Sequence, residues 1–195
     1  MNHYVVTRFS LKIHKWKKTF YDREEWFNYR SKLFFLSTYN SIKANSVLPN
    51  KVFVIFDVDD KALYDKFFKS YIDDSLVYPI FSTYNNFKLK LLESIYRLNG
   101  NRDPFILTNI DSDDIVFNNF FQEVNYFCSS KESNFFVVSN GFRTDFSKML
   151  KFIYKNSPFI SILYDSDKIP FIHDFSHQGI SSYKPILIKS TGFLQ

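Results

Sequence analysis

The side chains best able to do chemistry lie in two short acidic runs. Asp111-Ser112-Asp113-Asp114 follows the apolar segment 104–110, and Asp57-Val58-Asp59-Asp60 follows the apolar segment 51–56. On an extended turn, Asp111 and Asp113 stand one residue apart and project to the same side. Oxygen-rich pairs of this kind hold Mg2+ or Mn2+, with phosphate oxygens completing the shell. The same letters also suit a solvated turn in which Asp114 caps the next helix.

Other chemistries find less support. Of the four histidines, His3, His14, His173 and His177, only the last two have i, i+4 spacing, and Pro170 and Gly179 crowd them. No H-E-x-x-H is present, which argues against a histidine zinc site. A G-x-S-x-G elbow is missing, and four scattered glycines cannot build a Walker or Rossmann loop. One rival fits the second acidic run. Strand-D-x-D also resembles the way haloacid dehalogenase-like phosphatases present a nucleophilic and a general-acid aspartate, here Asp57 and Asp59, with Thr108 imitating a phosphate-binding hydroxyl. Lys61 stands where that family has Thr or Val.

The elements that must position these residues follow from the apolar pattern. Segments 4–9, 51–56, 76–81, 104–110 and 135–138 read as strands, and the nearly continuous apolar runs suit strands buried on both faces. Helices are expected from Asp22, with Glu25 completing a capping box, and over 60–70, 87–98 and 117–126. Trp26, Tyr29, Leu33 and Leu36 form the expected inward stripe of the first, and Leu89, Leu92, Ile95 and Tyr96 that of the third. Gly100 supplies the left-handed cap. Beyond Gly141 the pattern loosens, with a helix expected over 146–154 and strands at 159–163 and 186–188. Strands alternating with helices predict an α/β fold with a mostly parallel central sheet and helices on both faces. Ligands of such sheets bind outside the carboxyl ends of the strands, where both acidic runs fall.

Composition agrees with one globular domain over 1–195. Of the 195 residues, 21% are aromatic, which excludes a disordered chain. A single cysteine, Cys128, excludes an internal disulfide and implies a reducing compartment. The net charge of +5 permits an anionic partner, and the densest basic run is Lys12, His14, Lys15, Lys17 and Lys18. That run suits a solvated loop or a peripheral contact with phosphate or a membrane surface. The first ten residues read as a strand rather than a leader, and no apolar stretch is long enough to span a bilayer. A cytoplasmic protein, with room for a place at the inner face of the membrane, is expected.

The ordered segments resemble the bacterial rhamnosyltransferase family that lies near the family 2 glycosyltransferases and has a GT-A fold. The carrying residues are His3 to Ser10, Tyr29-Arg30-Ser31-Lys32-Leu33-Phe34, Ser41-Ile42 and Phe53-Val54-Ile55-Phe56-Asp57. Leu107 to Ile115, Ser157-Pro158-Phe159 and His177-Gln178-Gly179-Ile180-Ser181 continue the series. Asn109-Ile110 stand where the family usually has Arg-Leu, and the part after His177 is short for the family, as if truncated. The resemblance implies transfer of a sugar, rhamnose being the family's, from a nucleotide-diphospho-sugar to a glycan or lipid-linked saccharide acceptor, without nucleic acid. It implies a metal, Mn2+ or Mg2+, on Asp111 and Asp113 with His177, and nucleotide-sugar contacts from Thr7, Arg8, Asp57 and Asp111. An inverting reaction needs a carboxylate base. Asp145, Asp165, Asp167 and Asp174 are the candidates, and Asp174 is favoured by its nearness to His177. A non-catalytic nucleotide- or sugar-binding remnant is the third reading.

Overall fold

The computed structural model describes residues 1–11, 22–72, 75–100, 103–130, 133–144, 148–153, 157–165, 169–174 and 179–194. Nine strands form one sheet: β1 Asn2–Arg8, β2 Lys51–Asp57, β3 Val77–Ser82, β4 Phe105–Asn109, β5 Ile115–Val116, β6 Phe135–Thr144, β7 Met149–Ile153, β8 Ile160–Tyr164 and β9 Ile186–Leu194. The described helices are α1 Arg23–Phe34, α2 Asn40–Lys43, α3 Lys61–Phe67, α4 Phe87–Asn99 and α5 Phe120–Ser129. Strand order is β3-β2-β1-β4-β8-β6-β9-β5, with β7 also paired to β6. The first four of these are mutually parallel. β8 then runs antiparallel to β4 and to β6, while β9 returns parallel to β6.

Period-two alternation sends each strand's residues to two cores. Val5, Val52, Val54, Phe56, Ile106 and Phe136 face α1, α3 and α5. Tyr4, Val6, Phe53, Ile55, Leu107 and Val137 face α4 through Phe87, Leu91 and Ile95. This double burial explains the unbroken apolar runs of β1, β2 and β4. On the first face Phe68 anchors an aromatic cluster, with ring centroids 5.1 Å from Phe9, 5.2 Å from Phe34 and 4.9 Å from Phe56.

Asp22 caps α1 as its sequence predicts, accepting from the Glu24 and Glu25 N–H groups at 2.8 and 3.0 Å. The inward stripe of α1 differs from the expected one. Phe27, Ser31 and Phe34 are buried, whereas Tyr29 and Leu36 are exposed. Two apolar stripes one residue apart compete on this helix. The one that wins puts two phenylalanines against Phe9 and a small Ser31 where the helix must lie close. α4 shows the same slip at Leu89, which is exposed, while Ile95 is buried as expected and Leu92 and Tyr96 pack at the margin. The helix expected over 146–154 is corrected to a strand at Met149–Ile153. The long β6 offers it a hydrogen-bonding edge from Asn140 to Thr144, and that pairing overrides local propensity.

Gly141 in β6 is required by packing. A Cβ there would lie 2.5 Å from the Phe193 ring, which stacks on Phe159 at 4.0 Å. Gly141→Ala is expected to cost about 1–3 kcal/mol by overpacking, seen as a lower urea midpoint with an unchanged m-value.

Candidate functional site

Because β1 to β4 run parallel, their carboxyl ends share one sheet edge. Register pairs Arg8 with Ile55, Asp57 with Ser82 and Val6 with Asn109. Asp57 and the turn after β4 therefore lie on the same edge. Alternation puts Arg8, Asp57, Ser82 and Asn109 toward the α4 face. Thr7 follows Val5 to the opposite face, so Thr7 and Arg8 are split across the sheet.

Asp57 is buried, its carboxylate accepting the Asp59 N–H at 3.2 Å and its own N–H donating to the Ser10 hydroxyl at 3.3 Å. Asp60 is buried too and is held by a forked ion pair from Arg23. Near this edge the Thr7 and Ser82 hydroxyls and Arg8 Nε are buried without a hydrogen-bond partner among the described residues. Ordinary cores leave few such groups unpaired.

The acidic turn is closed on itself. Asp111 N–H donates to Asp114 Oδ2 at 3.3 Å, and Asp114 N–H donates to the Asp111 carbonyl at 3.2 Å. Asp114 thus ties the turn rather than capping a helix; α5 begins later, at Phe120. Burial, with Asp111 and Asp113 beside it, raises the Asp114 carboxyl to about 8, so it stays largely protonated at neutral pH. Asp111 is half-buried, and the Asp113 side chain is 48% exposed.

The helical segment before β2 braces this turn. Between α1 and α2 the chain makes a π-helical stretch, Phe35–Tyr39. Thr38, within it, donates to the Asp114 carbonyl at 2.8 Å and to the Asp111 carbonyl at 3.3 Å. Ser41 accepts the Val116 N–H at 3.1 Å. Arg30 of α1 donates to both carboxylate oxygens of Asp113, at 3.1 and 3.4 Å, and to the Ser112 hydroxyl. Arg30, Thr38 and Ser112 were not singled out as site residues by the sequence. No sequence signal marked Arg30, because its place beside the turn depends on which stripe of α1 faces inward.

On the α4 side, His173 Nε2 lies 3.0 Å from Asn109 Oδ1, and its ring packs on Phe87 and Phe171. Asp174, the favoured base, is paired with Lys88 at 2.7 Å and accepts the Phe171 N–H at 2.9 Å. Asp165 is exposed after β8. His177, Asp145, Asp167 and the basic run from Lys12 to Lys18 lie outside the described residues. Thr108, the residue expected to imitate a phosphatase hydroxyl, is buried between His3 and Ser161 at 2.7 Å from each and is committed to the core.

Three solved structures of S. aureus TarS superpose on the whole chain. The TarS 1–349 complex with UDP-GlcNAc matches with a TM-score of 0.56 at 10% identity and is 58% covered. The UDP complex gives 0.55 at 12% identity, and a further structure of TarS 1–349 gives 0.53 at 11%, each 60% covered. The fold is GT-A-like. This chain spans about 60% of the length of that TarS fragment. No family model matches the sequence, and no curated protein does.

The edge that carries Asp57 and the acidic turn lies at the carboxyl ends of the parallel strands, the region where open α/β sheets in general take their ligands. The donors in that turn are carboxylate oxygens, a set that suits Mg2+ or Mn2+. Among the described residues no group of three or more His, Cys, Asp or Glu side chains comes together to hold a metal. Asp111 and Asp113 would need ligands from elsewhere, phosphate oxygens being the natural source. Cys128 is buried in α5, and burial pushes its thiol up to about 12, which makes it inert as a nucleophile. No helix among the described residues is long and apolar enough to cross a membrane.

Proposed function

We propose that this chain is a metal-assisted glycosyltransferase that takes its sugar from a nucleotide-diphospho-sugar. The observation that carries this reading is the convergence of Asp57, Arg8 and the Asp111–Asp113 turn on one carboxyl edge of a GT-A-like sheet. TarS, a GT-A-like glycosyltransferase, has been solved with UDP and UDP-GlcNAc, which supports the donor class. A rhamnosyl donor is what the family resemblance implies, and a glycan or lipid-linked saccharide would accept the sugar. The site would work at the cytoplasmic face of the membrane, with the basic run from Lys12 to Lys18 as the peripheral contact.

Each residue has a distinct task. Asp57, buried and acceptor-rich, would take hydrogen bonds from the base or ribose, while Arg8 would meet the diphosphate as a charge-assisted donor. Asp111 and Asp113, completed by His177 and phosphate, would hold Mn2+ or Mg2+, which as a Lewis acid neutralises the departing diphosphate. Asp174 would accept the proton of the attacking hydroxyl. For that it must exchange Lys88 for the acceptor, since a carboxylate held by an ammonium is a poor base.

A thermal-shift panel of nucleoside diphosphates and diphospho-sugars, with and without Mn2+, tests the donor class, because a true ligand stabilises the fold by mass action. One diphosphate is expected to raise Tm, and more so with Mn2+. A flat panel would argue against a donor site, and a shift without any release of nucleoside diphosphate would favour the non-catalytic nucleotide- or sugar-binding remnant. Asp57→Asn separates transferase from phosphatase. The protein is expected to show no aryl phosphatase activity, to release nucleoside diphosphate slowly from the right donor, and to bind that donor more weakly in Asp57→Asn. Aryl phosphate turnover that disappears in this variant would mean that Asp57 is a covalent nucleophile.

A further inference from the structure

The guanidinium of Arg30 grips the carboxylate assigned above to the metal. Nη1 donates to Asp113 Oδ2 at 3.1 Å and Nη2 to Oδ1 at 3.4 Å, while Nη2 also reaches the Ser112 hydroxyl. The Arg30 side chain is 21% exposed against 48% for Asp113, so the cation approaches from the protein side and the carboxylate faces outward. Arg30 Nε is buried and has no hydrogen-bond partner among the described residues. Asp113 and Ser112 therefore hold the two terminal nitrogens, and Nε remains an unsatisfied donor on the protein side of the guanidinium.

A divalent cation and this guanidinium would draw on the same two oxygens, and their charges repel. A diphosphate resolves the conflict, because its oxygens accept a guanidinium in the same bidentate way as a carboxylate does. We propose that Arg30 is a positioning residue that couples metal binding to diphosphate binding, holding Asp113 in the empty protein and turning to the diphosphate when metal and donor bind together. The inference rests on the reading of the acidic turn as a metal and donor site. Metal alone then binds weakly. Metal and nucleotide tighten each other by one common factor, as linkage requires.

Mn2+ binding to the intact chain, followed by the paramagnetic resonance signal of free Mn2+, tests this with and without UDP. Arg30→Gln is expected to bind Mn2+ alone about tenfold more tightly than wild type, and the mutual tightening by UDP should fall by a similar factor. Arg30→Lys should lie between, because an ammonium pairs with Asp113 without forking both oxygens. A structural role for Arg30 predicts the reverse, looser metal binding after its removal. Unchanged or weaker Mn2+ binding in Arg30→Gln overturns the proposal. Should that variant melt far below wild type, Arg30→Lys decides by the same criterion. If UDP binds neither protein, with or without Mn2+, the donor reading falls and the coupling with it. If UDP binds but Mn2+ affinity ignores Arg30, only the coupling falls.

Discussion

Asp113→Asn is expected to abolish the contribution of Mn2+ to nucleoside diphosphate binding while leaving the fold intact. The amide keeps the shape of the side chain and removes the charge that attracts the cation. Metal-dependent tightening should fall by about a hundredfold, equal to about 3 kcal/mol, a usual share for a Lewis-acid contact. Stability should barely move. Asp113 is half exposed, and its side-chain partner outside the turn is Arg30. A partly exposed ion pair of that kind contributes about 0–1 kcal/mol, a Tm change of roughly 0–4 °C for a domain of this size. Calorimetric titration of UDP, run with Mn2+ and then with a chelator, reads the first quantity, and a melting curve reads the second. Wild-type binding by the variant would reduce Asp113 to a turn residue, and unfolding would make it a structural one.

The second large effect concerns acid. His3 in β1 is buried, with Nδ1 2.8 Å from Asn125 Oδ1 and Nε2 2.7 Å from the Thr108 hydroxyl. Thr108 in turn meets Ser161, so a polar chain crosses from α5 through three strands. The amide oxygen requires a proton on Nδ1, and the neutral ring then accepts from Thr108. Burial lowers His3 from 6.5 to about 4, with the Asn125 hydrogen bond opposing. A depressed pKa means stability that is complete above the unfolded value and lost as pH falls toward the folded one. The loss across this window is about 3 kcal/mol.

Asp114 works in the opposite sense over the same range. Its folded value is raised from 3.8 to about 8, so its stabilisation is complete in acid and is lost as pH rises through about 8. Between pH 6.5 and 4 the two groups offset one another. Urea unfolding at pH 6.5, 5 and 4 separates them. Relative to wild type, His3→Gln should gain about 3 kcal/mol on going from pH 6.5 to 4, and Asp114→Asn should lose about as much. A His3→Gln difference that stays constant with pH would mean that His3 is charged in the folded state.

Much of the scaffold was legible in the sequence for a local reason. Apolar runs such as 51–56 have no polar face, so only a doubly covered strand can bury them, and each of the first four leads into a turn or helix signal. The Asp22 cap, the Gly100 stop and the placement of Asp57 and Asp111 at strand ends follow from spacing alone. Parallel pairing then puts both aspartates on one edge, as expected. What only the tertiary structure decided depends on contacts between distant segments. Which of two stripes of α1 faces inward was set by Phe9, Phe56 and Phe68, residues outside the helix. Whether 149–153 is helix or strand was set by the free edge of β6. The role of Asp114 was set by its burial and by the hydrogen bond that Thr38, far along the chain, donates to its carbonyl, and the partner of Asp113 is an arginine on another element. Spacing determines which side chains can reach a surface together. Burial and pairing across the chain determine which of them carry charge there and what holds them.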